Sequence, residues 1–393
     1  MFKAALLFLW YNLRAMKKKI TLLLTACLLG SCSSPSAVSS AASSAETLES
    51  YSNLSYDAGF DTIYQYQETG PDKDAMRSRF DTGVEMFRQY NNLFDIYNDY
   101  PGINNLKTVN DNAGIQPVKV DPIIIDLIGK AKEFSELTGG AFDITIGTVL
   151  SVWHEYREEG IALNSGETPK PGPVPSEEEI REAMLHRGYE HVIIDEENST
   201  VYIDDPAIRL DVGGIAKGYA AEQIARKIEG DVPYQALVNA GRNIRTIGNK
   251  VDGNPWLVGI VHPVNGASAA VISQYGSFST VTSGDYERYY IGTDGKTYHH
   301  IVDPATGYPA SYYHSVTIVT ADSAAADCLS TALFVLSIED GKKVLADYTA
   351  KTGDAAEAVW IMDPDRTQSL SGVESDGQII IWSEGLNDRI MFN

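Results

Sequence analysis

Two hydrophobic periods share the chain between Asp74 and Ser383, and they do not alternate in the regular way a parallel βα sheet requires. DAMRSRFDTGVEMFRQYNNLFDIYN, from Asp74, repeats apolar residues every three or four positions and predicts a long amphipathic helix. IIIDLIGKAKEFSELTGG predicts another, stopped by Gly139-Gly140. After the Pro-rich TPKPGPVP, Ser176 and Glu179 make a capping-box pattern that opens a helix to about Leu185. HVIIDEENSTVYID reads as a hairpin, AIRLDV as a strand, and IAKGYAAEQIARKI as the helix that follows Gly213-Gly214. HSVTIVTA, AVWIMD and QIIIWS are predicted strands; ADCLSTALFVLS and EDGKKVLADYTA are predicted helices. The class is α+β, with mixed sheets and packed helices.

The N-terminus stands apart from this pattern. Met16 to Cys32 has a three-lysine start, an apolar run too short for a stable membrane span, and the ending Leu29-Gly30-Ser31-Cys32. That layout is a secretory signal, residues 1–32, and its end resembles a bacterial lipobox, in which the cysteine is lipidated. The alternative is an ordinary signal cut within the Ser/Ala tract. Residues 33–54 read as a Ser/Ala-rich tether, and 55–393 as one folded domain. The expected location is the cell membrane, anchored by lipid on its extracytoplasmic face. Five of the 31 basic residues and none of the 53 acidic ones precede Cys32, so a chain cut there carries a formal charge of −27. Such a surface repels nucleic acid. Past Cys32 only Cys328 remains, in an apolar helical pattern, which excludes a disulfide framework and a cysteine zinc site.

A polyanionic ligand can bind so acidic a chain only where dipoles, a lysine or a metal reverse the field. Gly213-Gly214 before a helix brings backbone N–H groups and a positive helix end to one point, with Lys217 one turn in and Asp211 at the entry. The plain alternative is a strand–turn–helix joint with a solvated lysine. Asp327 and Thr331, four apart on a helix, present two oxygens on one face and suit a hard cation; Asp327 as an ordinary first-turn acid is the competing reading. Strand alternation sends His299 and His300 to opposite faces, so one of them at most faces a given site. Phe142 and Asp143, after Gly139-Gly140, either hold a planar heterocycle or belong to the core. No Walker loop, G-x-G-x-x-G, G-x-S-x-G or H-E-x-x-H occurs.

Taken in order, TGGAFDITIG, LDVGGIAKGYA, TSGDY, HIVDPATG and ADCLSTAL resemble the ApbE family, the FAD:protein FMN transferases, over about residues 55–393. The resemblance implies an ApbE-like, T-fold-like architecture. It implies a Mg²⁺-dependent enzyme that places FMN from FAD on a Thr or Ser hydroxyl of exported or membrane redox proteins and releases AMP. Matched by motif, Tyr97, Ala141, Phe142, Asp143, Asp211 and Lys217 would contact FAD. Gly214 through its carbonyl, Asp327 and Thr331 would hold the metal, with Ser330 a further ligand, and His300 would be the catalytic histidine. Three departures are visible. GFDT, Gly59 to Thr62, stands where the family has Met-Gly-Thr, leaving the role of Phe60 open. Gly241-Arg242-Asn243 replaces Gly-Gly-Asp/Asn, and Pro101 replaces a serine after Tyr97. A metal-dependent FAD pyrophosphatase and a non-catalytic, lipid-anchored flavin binder are the alternative functions.

Overall fold

The computed structural model of the protein describes residues 47–366 and 371–392. The expected signal segment, Cys32 and the Ser/Ala tract up to residue 46 lie outside them. The first described element corrects the boundary expected at residue 55. β1 (Glu49–Ser55) pairs antiparallel along its whole length with β2 (Tyr64–Gly70). ESYSNLS shows no apolar alternation because it is the sheet's edge and buries only its last residue; main-chain hydrogen bonds hold it. The tether therefore ends before Glu49.

α1 (Lys73–Phe94) starts where the Asp72 side chain accepts the N–H groups of Asp74 and Ala75. It buries Met76, Phe80, Gly83, Phe87, Tyr90 and Leu93, the helical spacing read from the sequence. α2 (Leu106–Asp111) and β3 (Val118–Lys119) lead to α3 (Pro122–Leu137), which has Pro122 in its first turn. Gly139 and Gly140 then adopt φ 61° and 85°, which closes the helix as predicted. α4 (Gly147–Asn164) was not legible as a helix. α5 (Glu177–Ala183) carries both bonds of the predicted capping box. β4 (Val192–Asp195) and β5 (Thr200–Ile203) form the expected hairpin, and β3 completes a three-stranded sheet with them.

The predicted strand AIRLDV is not one. A single bridge joins Arg209 to Ile146, and the buried Asn110 side chain does the work of a sheet neighbour. Its Oδ1 accepts the Leu210 N–H at 2.8 Å and its Nδ2 donates to the Leu210 carbonyl at 3.0 Å. Ile208, Leu210 and Val212 alternate because they face the core.

α6 (Ala216–Ile228) precedes β6 (Gln235–Ala240), β7 (Asn243–Ile247), β8 (Trp256–Val261), β9 (Ser268–Gln274) and β10 (Ser279–Gly284). β11 (Tyr290–Ile291), β12 (Thr297–Tyr298) and β13 (Ser315–Thr320) follow, then α7 (Ser323–Val335), α8 (Ile338–Thr352), β14 (Glu357–Met362), β15 (Val373–Ser375), β16 (Gln378–Trp382) and β17 (Ile390–Phe392). Among the described residues the main sheet is antiparallel, in the order β1-β2-β6-β7-β10-β13-β14-β16-β15. Both faces of its centre are covered. Ala358 and Trp360 of β14 join the core under α6, α7 and α8, whereas Val359 and Ile361 meet β8, β9 and β17 on the other face. That double burial is why AVWIMD is a continuous apolar run. A third cluster, around Val149, Trp153, Ile180, Tyr290 and Tyr298, ties α4 and α5 to the β11–β12 hairpin.

Candidate functional site

Polar atoms are out of place where α6 meets α7. α7 is buried along nearly all its length, yet it holds Asp327 at 4% exposure and a fully buried Ser330. Asp327 Oδ2 accepts the N–H of Gly218 in the first turn of α6 at 2.8 Å, and Lys217 Nζ lies 3.8 Å from the same oxygen. The buried side chain is thereby satisfied by a helix-terminal N–H and lies beside a cation. Gly218 makes the approach possible: a Cβ there would lie 2.6 Å from Asp327 Cβ and run into the Ser323 carbonyl.

Gly214 plays the same part on the other side. A Cβ on it would sit 3.1 Å from Thr331 Oγ1 and 3.0 Å from Phe142 Cε2, so the missing side chain leaves a cradle lined by backbone and hydroxyl oxygen. The set Asp327, Thr331 and the Gly214 main chain is all oxygen with a single carboxylate, which fits a hard cation that takes its other ligands from water and phosphate. No group of three His, Cys, Asp or Glu among the described residues makes a stronger site. Ser330 is less available, since its hydroxyl already bonds the Asp327 carbonyl (2.9 Å) and Ser283 Oγ (2.8 Å).

Of the remaining candidates, Asp211 and Phe142 touch the Gly213-Gly214 turn. Asp211 Oδ1 accepts the Gly213 N–H at 2.8 Å, and burial raises its carboxyl pKa against the pull of Arg157, His154 and Arg288. Phe142 is core, packed beneath Gly214. Ala141 is half-buried, and Asp143 turns to Thr145, accepting from its N–H and its hydroxyl at 2.7 Å each. Tyr97 is exposed, with its ring 5.1 Å from that of His154. Phe60 has φ 55°, takes Asn91 Oδ1 on its N–H and packs on Phe87. Thr62, two residues on, meets Gly241, where a Cβ would be 2.8 Å from Thr62 Cβ. Two of the three departures from the family pattern are therefore in contact.

The strand expected through the histidine pair ends at Tyr298, so both histidines lie in the loop beyond it. They still diverge. His299 is buried, with Nε2 on the Ala310 carbonyl at 2.6 Å and Nδ1 accepting the Ile301 N–H. His300 is half-buried, and its Nδ1 is buried without a partner. Burial, then the charges of His299, Arg288, Arg157 and Lys217, push its pKa down to about 3, well below the unperturbed histidine value. The ring is neutral across the ordinary pH range.

Arg157, His154 and Arg288 were missed. The first two sit on the unrecognised α4, whose apolar positions Val149, Val152, Trp153 and Tyr156 were the available signal.

The sequence model of the ApbE family matches residues 60–354. The chain is similar to the FAD:protein FMN transferase of Klebsiella pneumoniae (strain 342), 34% identical over 235 residues that cover 59% of this chain and 68% of that protein. It is also similar to the FAD:protein FMN transferase of Treponema pallidum (strain Nichols), 31% identical over 283 residues, covering 68% and 73%. Among solved structures, the crystal structure of the ApbE protein from Thermotoga maritima superposes with a TM-score of 0.69 at 33% identity, covering 87% of this chain and 99% of that one.

Proposed function

The chain belongs to the ApbE family, and we propose that it is an FAD:protein FMN transferase, moving FMN from FAD to a Thr or Ser hydroxyl of an acceptor protein with release of AMP. The observation that carries this reading is the α6–α7 junction: a buried Asp327 bonded to Gly218 N–H, beside Lys217, with Thr331 against the side-chain-free Gly214. With Mg²⁺ held beside Lys217, the junction would be a local reversal of sign in a chain of formal charge −22, which a diphosphate needs.

Held by Asp327, Thr331 and the Gly214 carbonyl, Mg²⁺ would supply charge neutralisation and polarisation of the diphosphate. Lys217 and the N-terminal turn of α6 attract the phosphates. Tyr97, packed on His154, offers a flat face to a ring system. His300 takes the proton of the acceptor hydroxyl as its oxygen bonds to the FMN-side phosphorus. The bond from that phosphorus to the bridging oxygen breaks, and AMP leaves with that oxygen. Burial, and then the nearby cations, make His300 a weak base; the negative phosphates of a bound dinucleotide would offset the cationic part of that depression. A chain lipidated at Cys32 would act on exported or membrane acceptors.

Flavin transfer in the presence of EDTA tests the metal requirement. Asp327→Ala is expected to abolish turnover and weaken FAD binding, and undiminished transfer in excess chelator contradicts the proposed role of the junction.

A further inference from the structure

The loop from β10 to β11 begins beside the Ser283–Ser330 contact and carries Arg288 five residues on. Two arginines with left-handed backbone meet at this loop: Arg288 itself (φ 50°) and Arg242 (φ 77°), which follows Gly241 (φ 60°) in the two-residue β6–β7 turn. Glycine or asparagine suits that turn, and arginine does not. A strained residue persists when its surroundings hold it, and such outliers collect at functional sites.

The Arg242 side chain shows what holds it. Nη1 donates to Tyr286 Oη at 2.9 Å, Nη2 meets Glu287 Oε1 at 2.8 Å, and the guanidinium lies 5.3 Å from the centre of the Tyr286 ring. Tyr286 in turn folds back over Gly284, where a Cβ would be 2.8 Å from its Cζ. The loop is fastened one and two residues before Arg288.

A second guanidinium, Arg157 of α4, is near enough to feel the charge of Arg288. Its Nη2 donates to His154 Nδ1 at 2.9 Å, and its Nε is buried without a partner. No ion pair ties either Arg157 or Arg288 to a carboxylate among the described residues, although the chain has 53 acidic residues. Both charges act on Asp211, Tyr97 and His300.

We propose that Arg157 and Arg288 clamp the phosphates of the dinucleotide substrate from two sides, and that Arg242 is a positioning residue holding the Arg288 side through Tyr286 and Glu287. This rests on the flavin-transferase reading. A guanidinium offers a planar fork matched to phosphate oxygens, and both forks share their field with Lys217 and His300 at the junction where a diphosphate would lie. Arg242 is this chain's departure from the family's second glycine, so the clasp adds a fastening that glycine cannot make.

The test is equilibrium titration of the full-length protein, with Mg²⁺, against FAD and against riboflavin, which has the ring and no phosphate. Arg157→Gln and Arg288→Gln are each expected to weaken FAD roughly tenfold, the worth of a charge-assisted hydrogen bond, and to leave riboflavin unchanged. Arg242→Gly is expected to weaken FAD by a smaller factor without lowering the thermal midpoint, because glycine accepts the backbone. Combined with Arg288→Gln it should add nothing further. Arg288 is exposed, so its variant keeps the fold. Wild-type FAD affinity in Arg157→Gln and Arg288→Gln overturns the clamp, as does an equal loss for riboflavin. A raised KM for the acceptor with FAD affinity intact would assign the guanidiniums to an acidic acceptor segment and overturn it as well; additivity of Arg242→Gly with Arg288→Gln overturns the positioning role. A wild-type protein that binds FAD with these patterns but transfers no FMN sinks the transferase reading alone; one that binds no FAD sinks both.

Discussion

His299 and His300 are adjacent in sequence and differ in everything that matters chemically. Both ring nitrogens of His299 are committed to main-chain groups. His300 keeps an unpartnered Nδ1 on a ring that is only partly buried. His300→Asn is therefore expected to bind FAD but to transfer FMN at least about a hundredfold more slowly, the usual cost of losing a general base. His299→Asn should keep most activity and lose about 1–2 kcal/mol of stability, measured by denaturant unfolding, because a buried acceptor loses its donor. With His300 held near pKa 3 in the free protein, the pH profile of kcat/KM should show no limb near 6.5 that this residue explains. A limb at 6.5 abolished by His300→Asn would contradict that. The sequence distinguished the two histidines through strand alternation and a family motif, but the strand stops one residue earlier. What separates them is the partner each ring finds, and such partners lie far along the chain.

At the scale of elements, two close approaches hold the site together. Gly218→Ala would drive its Cβ against Asp327 and the Ser323 carbonyl, parting α6 from α7. It should cost about 2 kcal/mol or more by overpacking and reduce activity; near-native unfolding and turnover would show that the helices do not need this contact. The start of β13 is fixed differently. His314, just before it, bridges Asp285 (2.8 Å) after β10 and Asp363 (2.9 Å) after β14, and these carboxylates, Asp285 first, raise its pKa to about 9. A histidine that gains such partners on folding contributes stability that is complete below its unfolded value of about 6.5 and is lost as pH rises through about 9. Thermal midpoints should therefore fall between pH 6.5 and 9.5 in the native protein, and His314→Asn should lack that part of the fall. An identical slope in the variant would remove His314 from the account. The helices α1 and α3 and the capping box of α5 were readable because period and caps are local. α4 was not seen, since its apolar face is short and serves the small third cluster, and with it went His154 and Arg157. β1 escaped because an edge strand held by its main chain leaves no apolar pattern.

For the whole molecule, the α+β class followed from the order of the patterns, whereas the pairing of β1 with β2 and the two-sided burial of the sheet required the structure. Where the molecule works is proposed from the N-terminal sequence, Met16 to Cys32. No helix among the described residues is long and apolar enough to cross a membrane. If Cys32 carries the proposed lipid anchor, Cys32→Ser in the producing cell is expected to release the protein or leave it unprocessed. Native protein found soluble in the cytoplasm with residues 16–31 intact would contradict the anchor. The central claim is that the α6–α7 junction serves FMN transfer rather than flavin storage or hydrolysis. Its most direct test is mass spectrometry of a candidate acceptor after a single turnover with FAD and Mg²⁺, beside the Asp327→Ala protein. The account expects the acceptor to gain one FMN less water on a Thr or Ser, AMP to appear in equal amount, and the variant to yield neither. FMN and AMP free in solution with an unmodified acceptor, across exported and membrane redox proteins from the same cell, would contradict it.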